Sequence, residues 1–332
     1  MSDQNNSYDV VVVGGGSAGI STVSSLLKRR HWLKIAVIEP KEEHYYQPGW
    51  TLVGGGIFVM DETIRPEQTV MPKGVTWIKE AAASFDPDKN SVGLASGANV
   101  TYKSLVVAPG IKINLDAVKG LKETLGKNGV TTNYLRETAP YTWQLVEHLH
   151  EGKAIFTQPP PPFKCAGAPQ KAMYLSCDEW QKKGLLDKID VEFCTAAPSL
   201  FGVADYVPPL MKWVEKYNAK LSFSKNLIAV DGDKKIATFN VTDSEGKVSQ
   251  VEEKFDMLHV SPPQCALDFL AKSPLAAESG FMAVDEHTLQ HPKYANVFGV
   301  GDAIATSNAK TAAAARKQTV VVAENLLAQT DG

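Results

Sequence analysis

Residues 8–39 constrain this chain more than any other stretch. Val10, Val11, Val12 and Val13 form an unbroken apolar, β-branched run. That is the pattern of a parallel strand buried on both faces. Gly14-Gly15-Gly16-Ser17-Ala18-Gly19 follows without a gap and fits G-x-G-x-x-G. A helix is predicted over 20–30 and a second apolar strand over 34–38. That strand ends on Glu39, 20 residues past Gly19. Gly14 permits the tight turn, Gly16 lets a pyrophosphate approach the backbone, and Gly19 lets helix and strand pack closely. The N–H groups that open the helix have no partner within it and carry partial positive charge, which suits phosphate. Glu39 is positioned to accept both ribose hydroxyls of an adenosine. A bare glycine pattern is weak evidence; in strand–turn–helix–strand–Glu context it is a dinucleotide signature. The competing reading is a glycine-rich turn with no ligand. Taken alone, the motif leaves FAD and NAD both open.

A chain of 332 residues exceeds one small core and fits two domains. With 34 basic and 37 acidic residues and no basic run, nothing suggests nucleic acid. No window holds 18 uninterrupted apolar residues, so no spanning helix is expected. Cys165, Cys177, Cys194 and Cys265 lack C-x-x-C spacing, which argues against a metal site and against a secreted disulfide framework. The opening residues 1–7 are polar and contain no arginine, unlike a signal or transit peptide.

After Glu39, the aromatic, proline-containing run 40–50 reads as a shaped loop, with Gln47 and Trp50 able to line a cleft or simply to pack at the surface. A strand over 75–79 is expected to continue through 80–85, beside the adenine of a bound dinucleotide, with backbone groups near Ala82 in reach of its edge. The apolar strand 105–108 returns the chain to the first sheet. A second strand-first unit begins at 153–157. Its first strand–helix turn holds Pro159, Pro160, Pro161, Pro162 and Cys165 where a phosphate cradle would have glycines. Prolines offer no N–H, so a dedicated NAD(P)H site there is not expected. A strand over 191–194, a helix near 209–218 and a strand over 220–223 continue this unit, and a β-meander spans 227–252. Near the C-terminus a short strand, 297–300, runs into Gly301-Asp302, and a helix follows over 312–327. Dinucleotide signals at both ends of the chain imply a domain split around an insertion, which favours FAD. The expected class is α/β with two Rossmann-like doubly wound domains: a FAD domain in two parts, 1–112 and 263–332, around a second domain, 113–262.

Over nearly its whole length the chain resembles the mitochondrial type of sulfide:quinone oxidoreductase, in the two-dinucleotide-domain flavoprotein superfamily. The resemblance rests on Val13-Gly14-Gly15-Gly16-Ser17, Glu39-Pro40, Tyr46-Gln47-Pro48 with Trp50-Thr51-Leu52-Val53-Gly54, Lys164-Cys165-Ala166-Gly167-Ala168-Pro169-Gln170-Lys171, Met257-Leu258-His259-Val260 and Lys310-Thr311-Ala312-Ala313-Ala314. The stretch around Cys165 is the most specific. It implies that Cys165 takes up sulfide sulfur as a persulfide, and that Ser17, Ala18, Glu39, Gln47, Ala82, Asp302 and Lys310 contact FAD. The implied reaction is a two-electron oxidation: sulfide attacks a disulfide, electrons pass through FAD to ubiquinone, and a small acceptor takes the sulfane sulfur. The implied location is the mitochondrial inner membrane. The family's second redox cysteine and its membrane-contacting helices lie beyond the flavin-binding helix. The sequence ends at Gly332, before such a segment, and none of the other three cysteines matches that position. Sulfide turnover and membrane attachment are therefore set against an alternative, a catalytically silent flavoprotein acting as a binding module. An NAD(P)H-dependent flavin reductase is a further competitor.

Elementary chemistry supports part of this. Cys165 precedes a helix start and has Lys164 and Lys171 nearby, features that favour thiolate; the plain alternative is a buried small hydrophobe. Cys177 and Cys194 fall on apolar positions and read as core. Cys265 follows two prolines in a loop. His259 ends a strand and reads as structural.

Overall fold

The computed structural model describes residues 7–331. They form two compact units: one runs up to Tyr45 and adds Ile64–Lys112 and the chain from Cys265 onward, and the other comprises Tyr46–Thr63 and Ile113–Gln264. Residues 46–63, assigned from sequence to the first part of the flavin domain, cluster with the second unit. Small residues explain this. A Cβ on Gly54 would stand 2.1 Å from Asn133 Oδ1, one on Gly55 2.7 Å from Leu175 and one on Gly56 2.5 Å from Trp143. The short helix Trp50–Gly54, where a loop was expected, thus lies against the second unit's own helices. Trp50 is buried and its Nε1–H donates to Thr63 Oγ1 at 3.2 Å, so it is a packing residue.

In the first unit, strand Ser7–Val13 lies between Ile35–Ile38 and Asn99–Val107, parallel to both. Thr76–Ile78 extends the sheet beyond Ile35–Ile38, and Val297–Gly299 pairs with Asn99–Val107. Val10–Val13 and Ile35–Ile38 are almost fully buried, as continuous β-branched runs in a covered parallel sheet should be. The single strand expected over 75–85 is two. Ala82–Asp86 is antiparallel to Ser91–Leu94 and stands at the opposite end of the sheet order from Thr76–Ile78. Helix Ser17–Arg29 buries Gly19, Thr22, Val23 and Leu26, the one-face spacing of an amphipathic helix. It lies against the long helix Ala312–Asp331, which buries Ala315, Gln318, Thr319, Val322, Ala323, Leu326 and Leu327.

The second unit is built on a five-stranded, wholly parallel sheet in the order Val130–Thr131, Met257–His259, Gly152–Gln158, Ile189–Thr195, Lys220–Ser222. Neighbouring residues of one strand serve different cores: Phe156 packs with Trp180 and Phe193, while Ile155 packs with Phe239 and Leu258. Alternation along a strand sends successive side chains to opposite faces. The antiparallel meander Lys225–Asp231, Ile236–Thr242, Val248–Lys254 belongs to this unit. Glu192 is fully buried and binds Lys225 Nζ at 2.8 Å, Lys153 Nζ at 2.8 Å and Ser222 Oγ at 2.6 Å. Burial alone would raise its carboxyl, but the hydrogen bonds from Lys153, Lys225 and Ser222 outweigh it and hold the group well below the usual carboxylate range.

This cluster sets an expectation for stability. Glu192→Gln leaves Lys153 and Lys225 with Glu253 as their remaining carboxylate partner, and denaturant unfolding should show a loss of about 1–3 kcal/mol. Because the folded carboxyl is depressed, its contribution is complete above its ordinary value near 4.5 and drains away as pH falls through the lower folded value. The gap between parent and variant should therefore narrow on acidification; a gap that widens would contradict this assignment.

Candidate functional site

The glycine turn lies in the first unit. Gly14 adopts φ +104° and a Cβ there would meet the Ala108 carbonyl oxygen at 2.3 Å. A Cβ on Gly19 would stand 1.9 Å from the Gly14 carbonyl oxygen. Both positions need glycine for packing. Gly16 differs: nothing lies within 4 Å of a Cβ built on it, and Gly16 and Ser17 are exposed. The N-terminus of helix Ser17–Arg29 has no side-chain cap and no acidic residue in its first turn. Its N–H groups thus face open space, and an anion fits there.

Glu39 ends the neighbouring strand, as expected, but its carboxylate is already held. Oε2 accepts the Gly15 N–H and Oε1 the Lys41 N–H, both at 2.9 Å. Each oxygen keeps a second lone pair, so the group remains an acceptor with its orientation fixed. Sequence reasoning missed Glu67. It is only 2% exposed, its Oε2 lies 3.3 Å from His44 Nδ1, and its Oε1 has no hydrogen-bond partner. A Cβ on Gly15 would meet Glu67 Oε1 at 2.7 Å, so a second carboxylate lines the same turn. No local signal marks it, because 52 residues separate it from Gly15.

The C-terminal signal joins this turn. Gly301 has φ +76°, and a Cβ on it would meet Ala18 at 2.8 Å, so the Gly301-Asp302 turn abuts the start of the glycine-turn helix. Lys310 Nζ donates to the carbonyls of Asp302 at 2.9 Å and Ile304 at 2.7 Å and stands 4.1 Å from the Phe281 ring centre. Burial pulls its ammonium down to about 8, against the opposing charge of Asp302. Glycines 14, 16 and 19, Ser17, Ala18, Glu39, Gly301, Asp302 and Lys310 all belong to this unit. Ala82, half-buried, opens the strand Ala82–Asp86 of the same unit.

Gln47 and Cys165 belong to the second unit. Cys165 is half-buried and lies ahead of helix Ala168–Lys182. Its backbone is left-handed, φ +56°, and its carbonyl accepts the Ala168 N–H at 2.9 Å. Gln47 reaches the same segment: the Lys164 ammonium donates to Gln47 Oε1 and stands 5.9 Å from the Trp50 ring and 6.0 Å from the Tyr134 ring. Lys164 is thus engaged by an amide and two rings. His259 is fully buried; burial lowers it to about 4, so it is neutral, and its Nε2 accepts the Asn133 N–H at 3.1 Å. Cys177 and Cys194 are sealed in the core, and burial pushes Cys177 up to about 12 and Cys194 higher still. Cys265 lies in the short strand Gln264–Cys265 rather than a loop and is half-buried. Among the described residues, no group of three or more His, Cys, Asp or Glu side chains can hold a metal ion, and no helix is long and apolar enough to cross a membrane.

The chain is similar to known proteins along most of its length. The pyridine nucleotide-disulphide oxidoreductase family matches residues 8–158. The mitochondrial sulfide:quinone oxidoreductase of Mus musculus is 39% identical over 317 residues, covering 96% of this chain and 70% of that protein. Its Dictyostelium discoideum counterpart is 41% identical, covering 97% and 71%. The crystal structure of sulfide:quinone oxidoreductase from Aquifex aeolicus superposes with a TM-score of 0.81 over 97% of this chain and 77% of that one; at 23% identity it speaks for the fold alone.

Two outcomes follow from the cradle. Gly19→Ala should unfold the first unit, whereas Gly16→Val, on extended backbone and in open space, should keep Tm within about 2 °C of the parent yet abolish flavin retention. Amine acylation of Lys310, read by peptide mass spectrometry, should reach half its plateau near pH 8; a midpoint above 10 would refute the burial argument.

Proposed function

The chain belongs to the sulfide:quinone oxidoreductase family, and from that membership we propose that it oxidises sulfide to sulfane sulfur and delivers the two electrons to a quinone by way of a bound flavin. The observation that carries this reading is the match to curated relatives over nearly the entire chain. The site chemistry supports it.

The flavin is read as FAD. A dinucleotide needs a pyrophosphate cradle, and Gly16 with the open N-terminus of helix Ser17–Arg29 offers one. Glu39, fixed by the Gly15 and Lys41 N–H groups, would take the ribose hydroxyls, and Ala82 would offer backbone groups to the adenine. Asp302 and Lys310 would serve the ribitol and ring end. Bound there, the flavin supplies a two-electron relay.

Cys165 carries the sulfur. Hydrosulfide attacks a disulfide made by Cys165 and a second thiol; one S–S bond forms as another breaks. Cys165 becomes a persulfide, and the released thiolate holds the electron pair that passes to the quinone. A small nucleophile then takes the terminal sulfur. The second thiol is not Cys177 or Cys194, whose buried, raised thiols are inert. A quinone acceptor and a mitochondrial location agree with the relatives' names, and ubiquinone is the quinone that the resemblance implies. The relatives matched do not favour a purely silent binding module over this reading. The proline-filled turn at 159–162 speaks against nicotinamide as the electron donor.

Anaerobic addition of sulfide to the FAD-loaded protein tests the reading. Rapid flavin bleaching, slowed at least about 100-fold in Cys165→Ser, is the expected result, the scale lost when a covalent nucleophile is removed. Unchanged flavin absorbance at millimolar sulfide would sink it.

A further inference from the structure

Lys164, the residue before Cys165, is held at both of its backbone polar atoms. The Lys164 N–H donates to Gln264 Oε1 at 2.9 Å. The Lys164 carbonyl accepts from the Tyr134 hydroxyl at 3.1 Å. Cys165 follows at φ +56°, and its own carbonyl is tied to the Ala168 N–H at 2.9 Å. Every one of these bonds fixes backbone, so together they determine where the Cys165 Cα–Cβ vector points.

The conformation they impose is an unfavourable one. An L-residue at positive φ brings its Cβ close to a carbonyl oxygen, and a residue that is not Gly, Asn or Asp stays there only when its surroundings insist. The two clamping side chains are suited to insist. Gln264 is 6% exposed and Tyr134 5% exposed, so water does not compete for their hydrogen bonds. They arrive from distant parts of the chain, 100 residues after and 30 residues before Lys164. Burial, and then the negative charge of a Cys165 thiolate, push the Tyr134 hydroxyl far above its ordinary range, so it remains a donor at every working pH. Nothing in the local sequence 163–168 requires a left-handed cysteine.

We propose that Gln264 and Tyr134 are positioning residues for Cys165: by gripping both polar atoms of Lys164 they hold Cys165 left-handed and aim its sulfur for in-line exchange. The purpose rests on Cys165 being the sulfur-carrying thiol. In-line exchange needs attacking, central and leaving sulfurs nearly collinear, so a fixed Cα–Cβ direction matters to it. The alternative role is simple loop anchoring.

Two measurements on the full chain separate these roles. The first is a stability cycle. With the clamp intact, Cys165→Gly should melt roughly 2 °C or more above Cys165→Ala, because glycine alone accepts positive φ without strain. In a Gln264→Met or Tyr134→Phe background the backbone can relax, and that advantage should vanish. The second measurement is sulfur uptake from inorganic tetrasulfide by the chain that retains Cys165. The thiolate attacks a sulfane sulfur, a Cys–S bond to sulfur forms, a polysulfide S–S bond breaks, and a shorter polysulfide leaves with the electron pair. Gain of one sulfur atom on the Cys165 peptide is read by mass spectrometry, with added free glutathione as the reference thiol. Uptake at Cys165 should fall about fivefold in Gln264→Met and in Tyr134→Phe, the factor associated with one backbone hydrogen bond, and the glutathione rate should not move. Tyr134→Phe keeps the ring and its packing, so it stands in if Gln264→Met fails to fold. Equal melting of the Gly and Ala variants with the clamp intact would overturn the proposal. So would a cycle that collapses as expected while sulfur uptake stays at the parent rate, since that outcome describes anchoring alone. A parent chain that takes up no sulfur at Cys165 would instead overturn the assignment of that thiol, and the melting cycle would register the clamp separately.

Discussion

The close approach of the Gly14 carbonyl to Gly19 is the contact on which the first unit depends. An oxygen that would stand 1.9 Å from a Cβ leaves no tolerance for any side chain. Because helix and strand meet there without an intervening methyl, the helix N-terminus ends at the carboxyl end of the sheet with its N–H groups exposed. The same closeness fixes the opposite end of the chain. Gly301 abuts Ala18, Gly301 N–H donates to Gln318 Oε1 at 2.9 Å, and the long C-terminal helix is thereby tied to the turn. A packing constraint on one glycine thus becomes a binding geometry for an anionic group.

The second unit uses the same architecture for a different end. Its parallel sheet also delivers a strand into a turn before a helix, but prolines 159–162 fill the turn and a left-handed cysteine stands near its end. Removing N–H groups from that turn removes the phosphate cradle, and the space goes to a thiol, a lysine held by Gln47 and buried polar side chains. The unit also spends a buried ion cluster, Glu192 with Lys153 and Lys225, on joining its sheet to the meander. Such clusters gain little net free energy, but they strongly penalise any arrangement that separates their members.

Differences between expectation and structure have local causes. Residues 46–63 look like part of the first domain by order, yet three glycines let them press against Asn133, Leu175 and Trp143. The stretch 75–85 is apolar enough to read as one strand. It breaks at 79–81 because its halves pair with different partners, Thr76–Ile78 with Ile35–Ile38 and Ala82–Asp86 with Ser91–Leu94. Lys164, one of the two lysines expected to favour a Cys165 thiolate, reaches an amide and two rings, contacts set by long-range packing.

The sequence by itself determined the features whose physics is local. The buried strand, the glycine spacing, the acid at the second strand's end, the meander and the phosphate-poor proline turn all follow from side-chain periodicity and backbone freedom, which operate over a few neighbouring residues. Family membership was legible too, because the Cys165 segment carries an unusual string of residue types. Only the tertiary structure decided that Glu67 lines the glycine turn, that burial lowers Lys310, that Gln47 meets Lys164, and that Gln264 and Tyr134 grip the backbone of Lys164. These depend on burial and on contacts between residues tens to hundreds of positions apart. Neither is encoded in any local pattern, because both come into being only when the sheets are assembled.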